Sequence, residues 1–149
     1  MILLLINLFR LDGEDVSEIQ EIPGFTPDEQ TLFTSNLTSG QMLQITEHRV
    51  NLVDSKGLVN GWKAPEGKSI TLCSVNCNQI MLAIRNQLLY LEIEDSKLVE
   101  KASIEMQNEI ACIDISPLDD KKAKFCAVGL WNDISVRHFS FNGIYTKFS

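Results

Sequence analysis

The chain has 149 residues, 44% of them hydrophobic, which is the size and apolar content of one folded domain and excludes an intrinsically disordered segment. Its formal net charge is −7, and its 13 Lys and Arg stand singly, so no basic stripe is offered to a phosphate backbone and direct nucleic-acid binding is not expected. The four cysteines, Cys73, Cys77, Cys112 and Cys126, lie in or beside apolar runs, where a free thiol behaves as a small buried hydrophobe, and they imply no secreted disulfide framework.

The first element is the apolar run MILLLINLF at 1–9. It has no basic residue before it and no small-residue cleavage site after it, and it is too short to span a bilayer. It therefore reads as a buried strand, and no membrane association is expected. Beyond it no window repeats apolar residues at helical spacing for more than about a turn. Short strand-like runs follow one another instead: Ile2–Leu11 and Val16–Ile22, then Gln30–Leu37, Gln41–Thr46, Arg49–Val53 and Leu58–Trp62. Next come Ser69–Val75, Gln79–Ile84, Leu88–Ile93 and Leu98–Ile104, and last Glu109–Ile115, Phe125–Leu130, Ile134–Phe141 and Ile144–Phe148. Turn formers separate them, among them Asp12-Gly13, Thr38-Ser39-Gly40, Pro65-Glu66-Gly67, the stretch 116–120 and Asn142-Gly143.

Similar hairpins recur at LLLINLFRLDGEDVSEIQEI, MLQITEHRVNLVDSKGLVNGW, IMLAIRNQLLYLEIEDSKLVEKASI and FCAVGLWNDISVRHFSFNGIYTKF. Their starts lie about 40 residues apart, the period of four-stranded propeller blades. The fold expected is all-β, a single partial β-propeller over 1–149, with blades at about 28–64, 68–105 and 108–149 after a part-blade at about 1–23. A sandwich or barrel is disfavoured by the four-fold recurrence. So short an arc leaves the ring open, with lateral sheet faces that need covering.

No constellation for catalysis stands out. His48 and His138 lie in different hairpins, and neither a GxSxG nor an HExxH pattern is present. Cys73 and Cys77 are followed by no second pair at metal-ligand spacing. Gly57, Gly61 and Gly67 fall in separate turns and make no phosphate cradle, and the sequon Asn36-Leu37-Thr38 has the frequency of a chance match. No catalytic residue, metal or cofactor is expected.

A binding surface is more legible. Antiparallel pairing of the first two strands of the last blade sets Glu109 beside Trp131 and Asn132. A Trp in such a turn either stands out as an interface anchor or folds back on its blade, and the sequence leaves both open. Equivalent turns carry Arg85-Asn86-Gln87 and Glu47-His48-Arg49, so the candidate partner-binding residues are Glu109, Trp131, Asn132, Arg85 and Arg49. Trp62, closing an outer strand, is expected to pack between blades.

The segments LVNGWKAPEGKSI, LLYLEIEDSKLVE, EIACIDISPLDD and CAVGLWNDISVRHFSF closely resemble the family of the large subunit of the UV-damaged-DNA-binding protein. The upstream stretch LDGEDVSEIQEIPGFTPDEQTLFTSNLTSGQMLQIT resembles the preceding part of the same propeller. Members are triple-propeller adaptors of cullin 4 RING ubiquitin ligases, and the match falls in the middle propeller. The resemblance implies a fragment of a longer scaffold without an active site, serving ubiquitination and DNA repair in nucleus and cytoplasm. The implied partners are a cullin 4 type scaffold and WD-repeat substrate receptors. Paralogous triple-propeller subunits of the splicing and polyadenylation machineries share this architecture and are the alternative, as is a non-functional truncated product.

Overall fold

A computed structural model of the chain describes residues 8–19, 22–116, 122–132, 136–140 and 145–147. Among these residues there is no helix; fourteen strands form four antiparallel sheets. β1 (Leu8–Asp12) and β2 (Asp15–Ile19) make a two-stranded sheet. The first four-stranded sheet comprises β3 (Thr31–Asn36), β4 (Met42–Thr46), β5 (Arg49–Asp54) and β6 (Gly57–Lys63). The second comprises β7 (Leu72–Asn76), β8 (Gln79–Ile84), β9 (Gln87–Glu94) and β10 (Lys97–Glu105). The third comprises β11 (Ile110–Ser116), β12 (Phe125–Leu130), β13 (Val136–Ser140) and β14 (Tyr145–Lys147). In each, strands adjacent in sequence are adjacent in space. The chain is thus three four-stranded propeller blades and part of another, as expected, and its ring is open. The expected apolar strand at 1–7 and the turns at 117–120 and 142–143 lie outside the described residues.

The core lies between sheets, and the period-2 geometry of a strand divides it. Every residue of β8 is buried. Ile80, Leu82 and Ile84 face the first sheet, where they meet Leu43, Ile45 and Val50. Met81 and Ala83 face the third sheet and meet the cluster of Ile115, Cys126 and Val128. β9 repeats the division, with Leu89 and Leu91 on one side and Leu88 and Tyr90 on the other. Each large aliphatic side chain so buried contributes about 1.5–3 kcal/mol.

Polar side chains tie the same interfaces. Gln79 acts as a peptide mimic across the second and third sheets: its Oε1 accepts from the Ala123 N–H at 2.6 Å and its Nε2 donates to the Ala123 carbonyl at 3.0 Å. The same Nε2 donates to the Tyr90 hydroxyl, which in turn donates to the Glu92 carboxylate. Lys122 closes the group with an ion pair to Glu92 at 2.6 Å. Gln44 uses the same device on the first sheet, accepting from Thr26 N–H at 2.9 Å and donating to its carbonyl at 3.3 Å. The segment at 22–30 is thereby strapped over the outer face of the first sheet. Gly24 is required in that strap, because φ there is +88° and a Cβ would sit 2.4 Å from the Leu58 nitrogen.

Two local expectations are corrected. The strand expected from Ser69 begins at Leu72, because Ile70 donates across to the Glu47 carbonyl of the preceding sheet at 2.7 Å. Cys112 is exposed rather than buried, since Ile113 and Ile115 take the covered face of β11 and alternation turns Cys112 to the other.

Two stability measurements follow. Leu82→Ala is expected to cost about 2–5 kcal/mol in urea unfolding with an unchanged m-value, because it empties a site packed on both sides. Burial alone would raise the Glu92 carboxyl, but the Lys122 ammonium and the Tyr90 hydroxyl outweigh it and hold Glu92 below the ordinary carboxylate range. Its stabilising contribution is therefore present above about pH 4.3, the unfolded value, and lost as pH falls through the lower folded one. The difference in urea midpoint between wild type and Glu92→Gln is expected to shrink below that pH; a difference independent of pH would contradict the pairing.

Candidate functional site

The turns joining second to third strands all lie at one edge of the sheets, built by a repeated backbone pattern. In the first sheet Glu47 accepts from Ile70 N–H at 2.7 Å, and in the second Arg85 accepts from Ile110 N–H at 2.8 Å. Each turn thus receives the chain entering the next blade. His48 and Asn86 similarly accept from Ala64 and Met106 at 2.9 and 2.7 Å, closing the fourth strand of their own blade. In the third sheet the Trp131 N–H donates to the Glu109 carbonyl at 2.8 Å.

These bonds bring Arg85, Glu109, Trp131 and Asn132 together, because Glu109 binds Trp131 while its neighbour Ile110 binds Arg85. Trp131 stands 60% exposed at the turn, so its ring is not folded back into the blade. Asn132 has φ 64° and Arg85 φ 57°, both in the left-handed region. Asn tolerates that conformation; a long side chain such as Arg incurs strain there, held here by the bond from Ile110 to its carbonyl. Glu109 and Arg85 are exposed. The cluster therefore offers an aromatic plate, a carboxylate and a guanidinium within one turn-edge.

Arg49 is placed apart from that cluster, at the first sheet. Its Nε–H donates to Glu29 at 2.8 Å, and Thr46 donates to the other oxygen of the same carboxylate at 2.6 Å. Its guanidinium is engaged in holding the 22–30 strap. Near it His48, Ala64, Pro65, Gly67, Lys68 and Ser69 line an open depression on the same edge. Lys68 is tethered to Gln87 at 3.3 Å. Trp62, as expected, packs half-buried between the first and second sheets, its Nε1–H donating to Glu100 at 3.2 Å. Among the described residues no group of three His, Cys, Asp or Glu is placed to hold a metal.

The buried polar group of Gln79, Tyr90 and Glu92 does not stand out in the sequence. A Glu inside the apolar run Leu88–Ile93 was its only signal, since its partners Lys122 and Ala123 come from the next blade.

A family model described as RSE1/DDB1/CPSF1 second beta-propeller matches residues 7–147. The chain belongs to this family. It is 44% identical to DNA damage-binding protein 1 of Oryza sativa subsp. japonica over 90% of its length, and 40% identical to the protein of that name in Drosophila melanogaster over 96%. It spans only 13% of the length of either relative. In three dimensions it is similar to the crystal structure of the Cps50 (Swd1) beta-propeller domain of Myceliophteria thermophila, with a TM-score of 0.71. That likeness covers 94% of this chain and 51% of the other at 11% identity, and so shows the fold alone.

The two tryptophans give a direct check on the edge. Acrylamide is expected to quench Trp131 far more than Trp62, so that Trp131→Phe removes most of the quencher-accessible emission; equal quenching in wild type and Trp131→Phe would put Trp131 inside a contact.

Proposed function

We propose that this chain is a non-catalytic interaction scaffold, a segment of the second propeller of an adaptor of the DNA damage-binding protein 1 kind. The adaptor joins a cullin 4 type ubiquitin ligase to WD-repeat substrate receptors in the nucleus and cytoplasm, in the service of the DNA damage response. The cullin binds the turn-edge carrying Glu109, Trp131, Asn132 and Arg85. The observation that carries this reading is the exposed Trp131 beside Glu109 and Arg85, in a chain whose relatives bear the DNA damage-binding name at 39–44% identity. An exposed Trp flanked by opposite charges has the composition of an interface hot spot, in which a few residues carry most of the affinity. Arg49 is assigned a lesser role, because its guanidinium is already paired with Glu29.

The family model also spans paralogues, and the alternative is a subunit of the splicing or polyadenylation machinery. The relatives cited favour the ligase adaptor over that alternative.

The test is a chimera of the rice relative in which this chain replaces the matching segment, assayed for capture of cullin 4. Glu109→Ala combined with Trp131→Ala is expected to weaken capture by about tenfold or more, the scale of losing one hot-spot anchor. Undiminished capture would remove the cullin from this edge, and co-purification with cleavage or splicing factors in place of cullin would favour the paralogue.

A further inference from the structure

Glu109 lies on a short link whose two ends are tied to a single turn. The link, residues 107–109, runs from Met106 to Ile110. At its far end the Ile110 N–H donates to the Arg85 carbonyl at 2.8 Å. At its near end Asn86 engages both backbone groups of Met106: the Asn86 carbonyl accepts from the Met106 N–H at 2.7 Å, and its Nδ2 donates to the Met106 carbonyl at 3.2 Å. The same Nδ2 donates to Glu105 Oε1 at 3.2 Å. Met106 and Ile110 are both sunk in the core between the second and third sheets.

Glu109 is exposed, and its carbonyl accepts the Trp131 N–H at 2.8 Å. Its place beside Trp131 is therefore inherited from the turn at Arg85 and Asn86. A segment so short, with both ends held, has little freedom left to lose when a partner arrives.

The first sheet shows what the link looks like without the amide. There the counterpart of Asn86 is His48, whose carbonyl accepts from the Ala64 N–H at 2.9 Å. The described hydrogen bonds include none from the His48 imidazole to Ala64. The link to Ile70 is longer, residues 65–69, and beside it lies an open depression of about 410 Å³ bordered by His48, Pro65, Gly67 and Lys68. The side-chain clamp is thus not a requirement for passing from one blade to the next. It is an addition at the link that carries Glu109.

We propose that Asn86 is a positioning residue of the turn-edge: its side-chain amide, acting through Met106, holds Glu109 against Trp131 in the arrangement that a partner meets. The proposal rests on the reading of this edge as the cullin-binding surface.

The experiment uses the rice chimera with Asn86→Ala and with Asn86→Asp, which keeps the size of the side chain and removes the donor. Each is expected to weaken cullin 4 capture by about three- to tenfold, the scale of one hydrogen bond. Made in the Glu109→Ala background, the same substitutions are expected to cost less than about twofold further, because the residue they position is already gone. Independent, additive losses would overturn the proposal. Amide hydrogen exchange on the free chimera decides it without the partner: the Ile110 and Trp131 N–H groups are expected to exchange several-fold faster in both variants, with the amides of β8 unchanged. Unchanged exchange at Ile110 and Trp131, or faster exchange throughout the second sheet, would also refute a positioning role. Undiminished capture after Glu109→Ala with Trp131→Ala removes the cullin from the edge, whereas unaltered exchange in the Asn86 variants removes only the clamp, so the two readings fail separately.

Discussion

The contact on which this structure depends is the two-sided burial of the second sheet. β8 exposes no side chain on either face, and β9 follows it for most of its length. A strand of this kind is stable only while a sheet lies against each side of it, because its alternation sends apolar groups both ways. The first and third sheets are in that sense the solvent of the second. The other face of the first sheet is covered in turn by the 22–30 strap, which Gln44 and Asn51 hold through Thr26.

The polar groups buried at these interfaces fix how the sheets sit. Apolar contacts tolerate sliding, but Gln79 engages both the N–H and the carbonyl of Ala123, and a shift of one residue would break both bonds. Glu92 adds a buried carboxylate that is tolerable only with Tyr90 and Lys122 on it. At the turn-edge the backbone does the same work, with Glu47 and Arg85 each receiving the first N–H of the following blade. The edge that gathers Arg85, Glu109 and Trp131 is therefore a by-product of blade-to-blade registration. Only the backbones of Arg85, Glu109 and Trp131 enter that pattern, and their side chains are exposed.

The strands were legible because their pattern is local. The continuous apolar run in Gln79–Ile84, the turn formers around each hairpin and the spacing of about 40 residues are properties of neighbouring letters, and they suffice for blades. Turn chemistry was only partly legible: Asp95 and Ser96 both take positive φ, at 48° and 61°, in a turn that usually asks for Asn-Gly. The pairing of Glu109 with Trp131 could be expected from antiparallel register alone. That Arg49 is held by Glu29 could not, because Glu29 lies in a strap whose course over the sheet is set by Gln44 and Gly24.

By itself the sequence determined the all-β class, the meander of each blade and the family, since all three rest on short-range pattern and on identity of letters. Only the tertiary structure decided which face of each strand is covered, and with it the exposure of Cys112, Phe125 and Trp131. Alternation says that two faces differ; it does not say which one a neighbouring sheet will take. The buried Gln79–Ala123 and Glu92–Lys122 pairs were decided at the same level, because their partners are 44 residues apart in the first case and join different blades in both.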